Sequence, residues 1–72
     1  MAIVKVIEVI GASDQGFDEA IRNVVNEVSK TVRDIDSVYV KEMKVHVKDG
    51  GRLSYGVNCQ VSFRVNDAQR DS

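Results

Sequence analysis

From Leu53 to Val65 the chain alternates without a miss. Leu53, Tyr55, Val57, Cys59, Val61, Phe63 and Val65 stand against Arg52, Ser54, Gly56, Asn58, Gln60, Ser62 and Arg64. Strict alternation is the period of a strand with one face in a core and the other against something polar. At about 3.3 Å per residue the run is on the order of 45 Å long. A chain of 72 residues forms one domain at most, and one of about that size buries only about 60% of the surface its unfolded form exposes. Small domains are usually supplemented by disulfides, a structural metal or association. The single Cys59 rules out an internal disulfide, and no Cys/His cluster offers a zinc site. Self-association remains.

The rest of the chain divides around that strand. Ile3 to Ile10 is rich in β-branched residues, broken only by Lys5 and Glu8, and reads as a strand covered on most of both faces. Gly11 to Gly16 is turn-rich, and Phe17-Asp18-Glu19 places two carboxylates in a first helical turn, where the macrodipole favours them. Phe17, Ala20, Ile21, Val24, Val25, Val28, Val32 and Ile35 then form one stripe of three- and four-residue steps. That spacing predicts a helix of about eighteen residues, about 27 Å long. Lys30 and Arg33 would suit its C-terminal end. The final strand is much longer than such a helix can cover, so part of its surface should meet another chain.

Between Ser37 and Lys48 the period returns to two, with Val38 and Val40 on one phase and Met43, Val45 and Val47 on the other. A β-bulge near Lys41 and Glu42 would bring both sets onto one face. Asp49-Gly50-Gly51 supplies a hairpin turn. A right-handed crossover through the helix leaves the first two strands parallel. A third strand between them gives an α+β, βαββ subunit: a three-stranded antiparallel sheet in the order 1-3-2, wrapped around one helix. Residues 1–65 are expected to form the domain and 66–72 a disordered polar tail.

Ten basic and eleven acidic residues are mixed along the chain for a net charge of −1, which is not the footprint of a nucleic-acid binder. The first residues read as a strand rather than a signal peptide, and no run approaches the roughly 20 apolar residues a bilayer span needs. With one thiol, these features lead to an expectation of a soluble cytoplasmic protein. Gly11 to Gly16 is spaced like the start of a phosphate loop, but Phe17 stands where Lys and Ser/Thr are required. Cys59 falls on the apolar phase, as a buried inert thiol does. No nucleophile, base and orienting group share a face, so no enzyme is expected.

Over Val4 to Val65 the order and spacing of several segments resemble the dodecin family. Lys5-Val6-Ile7-Glu8-Val9-Ile10-Gly11-Ala12-Ser13 is similar to its opening strand and Gly-x-Ser turn, and Ser29-Lys30-Thr31-Val32-Arg33-Asp34-Ile35 to its helix end. Tyr55-Gly56-Val57 and Val61-Ser62-Phe63-Arg64-Val65 resemble its last strand. The resemblance implies a hollow homododecamer that stores flavin (riboflavin, FMN or FAD) without turnover, the rings stacking between aromatic side chains at two-fold interfaces. Two positions depart from that pattern. The family's flavin-stacking Trp corresponds to Ser37 and its flavin-bonding Gln to Gly56.

The cofactor-binding candidates are therefore Ser37, Val38, Tyr39, Lys44, His46, Gly56 and Asn58. Lys44 stands where relatives can carry Arg, Tyr39 offers a replacement ring, and the bulge places most of the set on the polar face. A branch that also lacks the Trp is associated with calcium, and calcium takes six to eight oxygen ligands. Asp34, Asp36, Asp14, Asp18 and Glu19 are the carboxylates available near the helix ends, where solvation is their commoner role. The alternatives to flavin storage are thus a calcium-dependent or other metal-dependent structural dodecamer, and an oligomeric scaffold for a protein partner.

Overall fold

The computed structural model describes residues 2–66; the expected tail at 67–72 lies outside them. Strand β1 (Ala2–Ser13), helix α1 (Phe17–Ser29), β2 (Ile35–Val47) and β3 (Leu53–Asn66) follow in that order. The sheet order is β1-β3-β2, with both pairings antiparallel. The βαββ subunit expected from sequence is therefore the fold observed.

The helix packs on one sheet face because its apolar stripe matches the inward phase of β3. Ala20, Val24 and Val28 meet Val57, Cys59 and Val61, and these six are the whole buried core among the described residues. Gly11 sets the approach: a Cβ there would run into Val24 Cγ2 and stand 3.3 Å from the Ala20 carbonyl oxygen. Only glycine lets α1 lie this close to β1. Phe17 caps one end of the core with its ring edge-on to Tyr55, centroids 5.1 Å apart.

Helix α1 is shorter than its apolar spacing suggested. It has thirteen residues, about 20 Å at 1.5 Å per residue, and the chain tightens after it through Lys30 N–H to Glu27 C=O and Thr31 N–H to Val28 C=O. Asp34 then takes a positive φ of 58° and turns the chain into β2. Val32 and Ile35 still pack against the core, but from a connecting segment and a strand. Arg33 falls outside the helix, and Lys30 at its C-cap pairs with Glu27 at 3.1 Å.

The bulge expected near Lys41 is present, since the register jumps between Val40, opposite Cys59, and Glu42, opposite Asn58. A second irregularity at Asp36 lies between Ile35 and Ser37. Gly50 and Gly51 turn the hairpin with φ of 77° and 78°. The subunit measures 57 × 20 × 14 Å, so the sheet far outruns its helix. On the helix side Ile3, Met43, Val45, Val47 and Leu53 stay exposed; on the other side so do Val4, Val6 and Ile10. The expectation that β1 is covered on most of both faces is not met among the described residues, none of which covers the face away from α1.

Candidate functional site

The face away from α1 is ordered by the register. Across the sheet, Glu8, Gln60 and Tyr39 make one row, Ile10, Asn58 and Glu42 the next, and Ala12, Gly56 and Lys44 the third. His46 opposite Ser54 lies beyond them, and Ser37 opposite Ser62 at the far end. A shallow hollow of about 110 Å³ lies in this face, lined by Ile10, Glu42, Lys44, His46, Gly56, Val57 and Asn58.

Four of the seven residues proposed from sequence, Lys44, His46, Gly56 and Asn58, meet in this hollow. Ser37 and Tyr39 share the face but do not line it. Gln60, opposite Tyr39, is four residues from Gly56 along β3, about 13 Å at 3.3 Å per residue. Tyr39 is 64% exposed, so its ring is free to meet a ligand or a second chain. Val38 is corrected. It lies opposite buried Val61 and packs against the core, because alternation turns its side chain away from the face that Ser37 and Tyr39 occupy.

Ile10 and Glu42 were missed by sequence reasoning. Their signal is the register: once β3 is central, Asn58 brings one from each flanking strand. Glu8 was also missed. Lys41, turned out at the bulge, reaches across β3 to the Glu8 carboxylate at 3.1 Å. The hydrogen bond from Lys41, then its charge, hold Glu8 below the ordinary carboxylate pKa against a small desolvation effect, and the Asn58 amide adds to the lowering. Asn58 Oδ1 itself is buried without a hydrogen-bond partner among the described residues. Below the sheet, burial pushes the Cys59 thiol pKa up, as suits an inert core cysteine.

The carboxylates considered for calcium do not gather. Asp36 faces Arg64 at 3.6 Å, and among the described residues no three His, Cys, Asp or Glu side chains form a metal-sized group. No described helix is long and apolar enough to cross a membrane.

A three-stranded sheet half-wrapped around a short helix, with a hollow in the sheet face that the helix leaves open, defines a class of small βαββ protein. The chain belongs to the dodecin family, whose model matches residues 3–66. It is 32% identical over 69 residues to the calcium dodecin of Mycobacterium tuberculosis, covering 96% of this chain and 97% of that one. It is 31% identical over 65 residues to the dodecin of Thermus thermophilus, covering 90% and 94%. The solved dodecin of Streptomyces davaonensis superposes with a TM-score of 0.84 at 32% identity, covering 90% of this chain and 96% of that one.

Proposed function

We propose that the chain is a non-enzymatic binding and storage subunit that works as a homododecamer in the cytoplasm, with flavin as its ligand class and a site altered from the family pattern. The observation that carries this reading is the hollow on the open face, where Lys44, His46, Gly56 and Asn58 converge beside the apolar Ile10. Convergent polar groups next to apolar surface are the usual make-up of a small-molecule site. The hollow is small beside the roughly 300 to 1,000 Å³ of drug-sized pockets, so a flavin ring needs a second wall, which a neighbouring subunit would supply. Exposed apolar side chains on both sheet faces support that assembly.

Riboflavin fluorescence tests the reading. Quenching on titration with protein supports it, and none at tens of micromolar protein refutes it. Ser37 lies at the far end of the face from the hollow, so Ser37→Trp would supply a stacking ring from the neighbouring subunit, worth about 0.5 to 1.5 kcal/mol, and should tighten binding in the assembly by about two- to tenfold.

A second reading, a calcium-dependent assembly, is favoured by the similarity to a calcium dodecin over nearly the whole chain. Since no three ligand-type side chains meet within the described residues, its site would be shared between subunits. Light scattering in chelator separates the two: loss of assembly supports the metal reading, and an unchanged mass with retained flavin refutes it.

A further inference from the structure

Asp49 is the one Asp or Asn of this sequence followed by glycine; the other ten precede residues that carry a Cβ. The pair stands at the tip of the hairpin, in the short turn Asp49–Gly51 between β2 and β3. Two backbone bonds close that turn, Gly51 N–H to Lys48 C=O at 3.1 Å and Lys48 N–H to Arg52 C=O at 2.7 Å. Gly50 N–H takes part in neither. The Asp49 carboxyl makes no ion pair or side-chain hydrogen bond among the described residues. Residues 48–52 are exposed, and no atom outside their chain neighbours stands within 4 Å of where a Cβ on Gly50 or Gly51 would be.

This places an unengaged backbone nitrogen next to an unengaged carboxyl. Attack of Gly50 N on Asp49 Cγ closes a five-membered succinimide: the N–Cγ bond forms, the Cγ–OH bond breaks, and the hydroxyl leaves as water with the amide proton. Water then adds to one of the two ring carbonyls. Opening at Cγ restores aspartate. Opening at the Asp49 backbone carbonyl leaves isoaspartate, whose main chain runs through Cβ and Cγ and whose former backbone carbonyl is a free carboxylate. One water is lost and one gained, so the mass is unchanged and no co-reactant is needed. At other positions a Cβ on the following residue crowds the attacking nitrogen; glycine removes that obstacle and lets the bond rotate toward the carboxyl. The turn itself demands glycine at residue 50, where φ is 77°, so the residue that shapes the hairpin also leaves the pair reactive.

We infer that Asp49-Gly50 is a site of spontaneous backbone modification: in the folded protein Asp49 converts to isoaspartate, and the lengthened turn releases the last rung of the β2–β3 hairpin. The extra main-chain carbon enters between Lys48 and Arg52, which the 2.7 Å bond holds together. Turn length fixes hairpin register, so the strain falls first on that bond and next on Val47 opposite Leu53. The inference is independent of the ligand proposed for the hollow.

The test keeps the assembled protein in warm, mildly acidic buffer and samples it over weeks. A carboxyl methyltransferase specific for isoaspartate transfers a labelled methyl group from S-adenosylmethionine to each sample, and peptide mapping locates the label. Label should appear at residue 49, with no change of mass before methylation. Asp49→Glu, which would have to close a larger ring, should lose it. Asp49→Asn should react faster, because the neutral amide loses ammonia, and should show the mass gain of an amide hydrolysed to an acid. Circular dichroism and native mass confirm that both variants keep their fold and assembly. Folded protein that takes no label at residue 49 would overturn the inference, and label in urea-unfolded chain treated alike would assign the protection to the fold. Equal label in Asp49→Glu would place the reaction elsewhere and overturn it as well. Hydrogen exchange reads the effect on the hairpin. The Lys48 amide should exchange faster in protein carrying isoaspartate than in fresh protein, since its bond to Arg52 is the one released. Equal protection would overturn the claim that the modification reaches the register.

Discussion

Gly11→Ala is the sharpest test of how α1 is seated. The added methyl meets two atoms that cannot easily yield: Val24 Cγ2, on a residue 2% exposed, and the backbone oxygen of fully buried Ala20. The helix must lift from β1, and overpacking of this kind costs about 1 to 3 kcal/mol. Lifting loosens a core of only six buried side chains, which argues for the upper half of that range. Replacing glycine within a strand returns about 0.5 to 1 kcal/mol through the unfolded state. The net loss is therefore about 1 to 2 kcal/mol, and each kcal/mol moves Tm by about 4 to 8 °C in a domain of 60 to 100 residues. Val24→Ala alone should cost about 2 kcal/mol in lost burial and cavity. In the double variant the new methyl enters the space Val24 vacates, so the combined cost should fall short of the sum by about 1 kcal/mol. Urea denaturation at one fixed protomer concentration measures this, since assembly makes stability concentration-dependent. An unchanged midpoint for Gly11→Ala, or costs that add within about 0.5 kcal/mol, would refute the close-approach argument.

Other expectations follow from single features. Lys41 lowers the Glu8 pKa in the folded state, so this contact stabilises above the ordinary carboxylate pKa of about 4.3 and its contribution is lost as pH falls through the lower folded value. Glu8→Gln should flatten that part of the acid limb in thermal melts between pH 3 and 6, and identical limbs would count against the contact. Buried Cys59, its thiol pKa raised by desolvation, should resist a thiol reagent until the protein unfolds; stoichiometric labelling under native conditions would contradict its placement. Val47 and Leu53 face each other at the hairpin end and are 73% and 39% exposed. Val47→Asp with Leu53→Ser should lower the native mass by light scattering while leaving the strand signal in circular dichroism, and an unchanged mass would exclude the hairpin end from the interface.

Much of this was legible because alternation reports directly on which way a side chain points. The switch from Val38 and Val40 to Met43, Val45 and Val47 exposes the bulge at Lys41, with enough apolar residues on either side to fix both phases. The irregularity at Asp36 has only Ile35 before it within β2, too little to establish a phase. Val32 and Ile35 continue the helical spacing and do reach the core, so contact periodicity alone could not reveal that the helix had ended. The helix ends at Ser29 in a tightened turn, and the left-handed Asp34 then redirects the chain into β2, a change that a single aspartate does not announce. Within the site, Gly56 and Lys44 came from the family resemblance, and the bulge placed them on one face with His46 and Asn58. Ile10 and Glu42 required the registers of both flanking strands on β3. Val38 entered through its neighbours in sequence, against the alternation that turns it inward.

The proposed assembly and the proposed ligand site draw on one surface, and this carries a consequence that neither has alone. Ile10 and Tyr39 are 77% and 64% exposed on the open face, where the hollow gives about 110 Å³ and a single wall. If a second subunit supplies the other wall, ligand binds the assembled state in preference to the free subunit, and linkage requires it to stabilise assembly by RT ln(1 + [L]/Kd). At a ligand concentration one hundred times Kd that is about 2.7 kcal/mol for each site occupied. The dissociation midpoint in urea should therefore rise with riboflavin 5′-phosphate, and a variant dissociated through Val47 and Leu53, which lie on the opposite sheet face from the hollow, should bind it weakly although Lys44, His46 and Asn58 are untouched. A dissociated subunit that bound the ligand as tightly as the assembly would show that one chain holds the whole site, and the shared-wall argument would then be wrong.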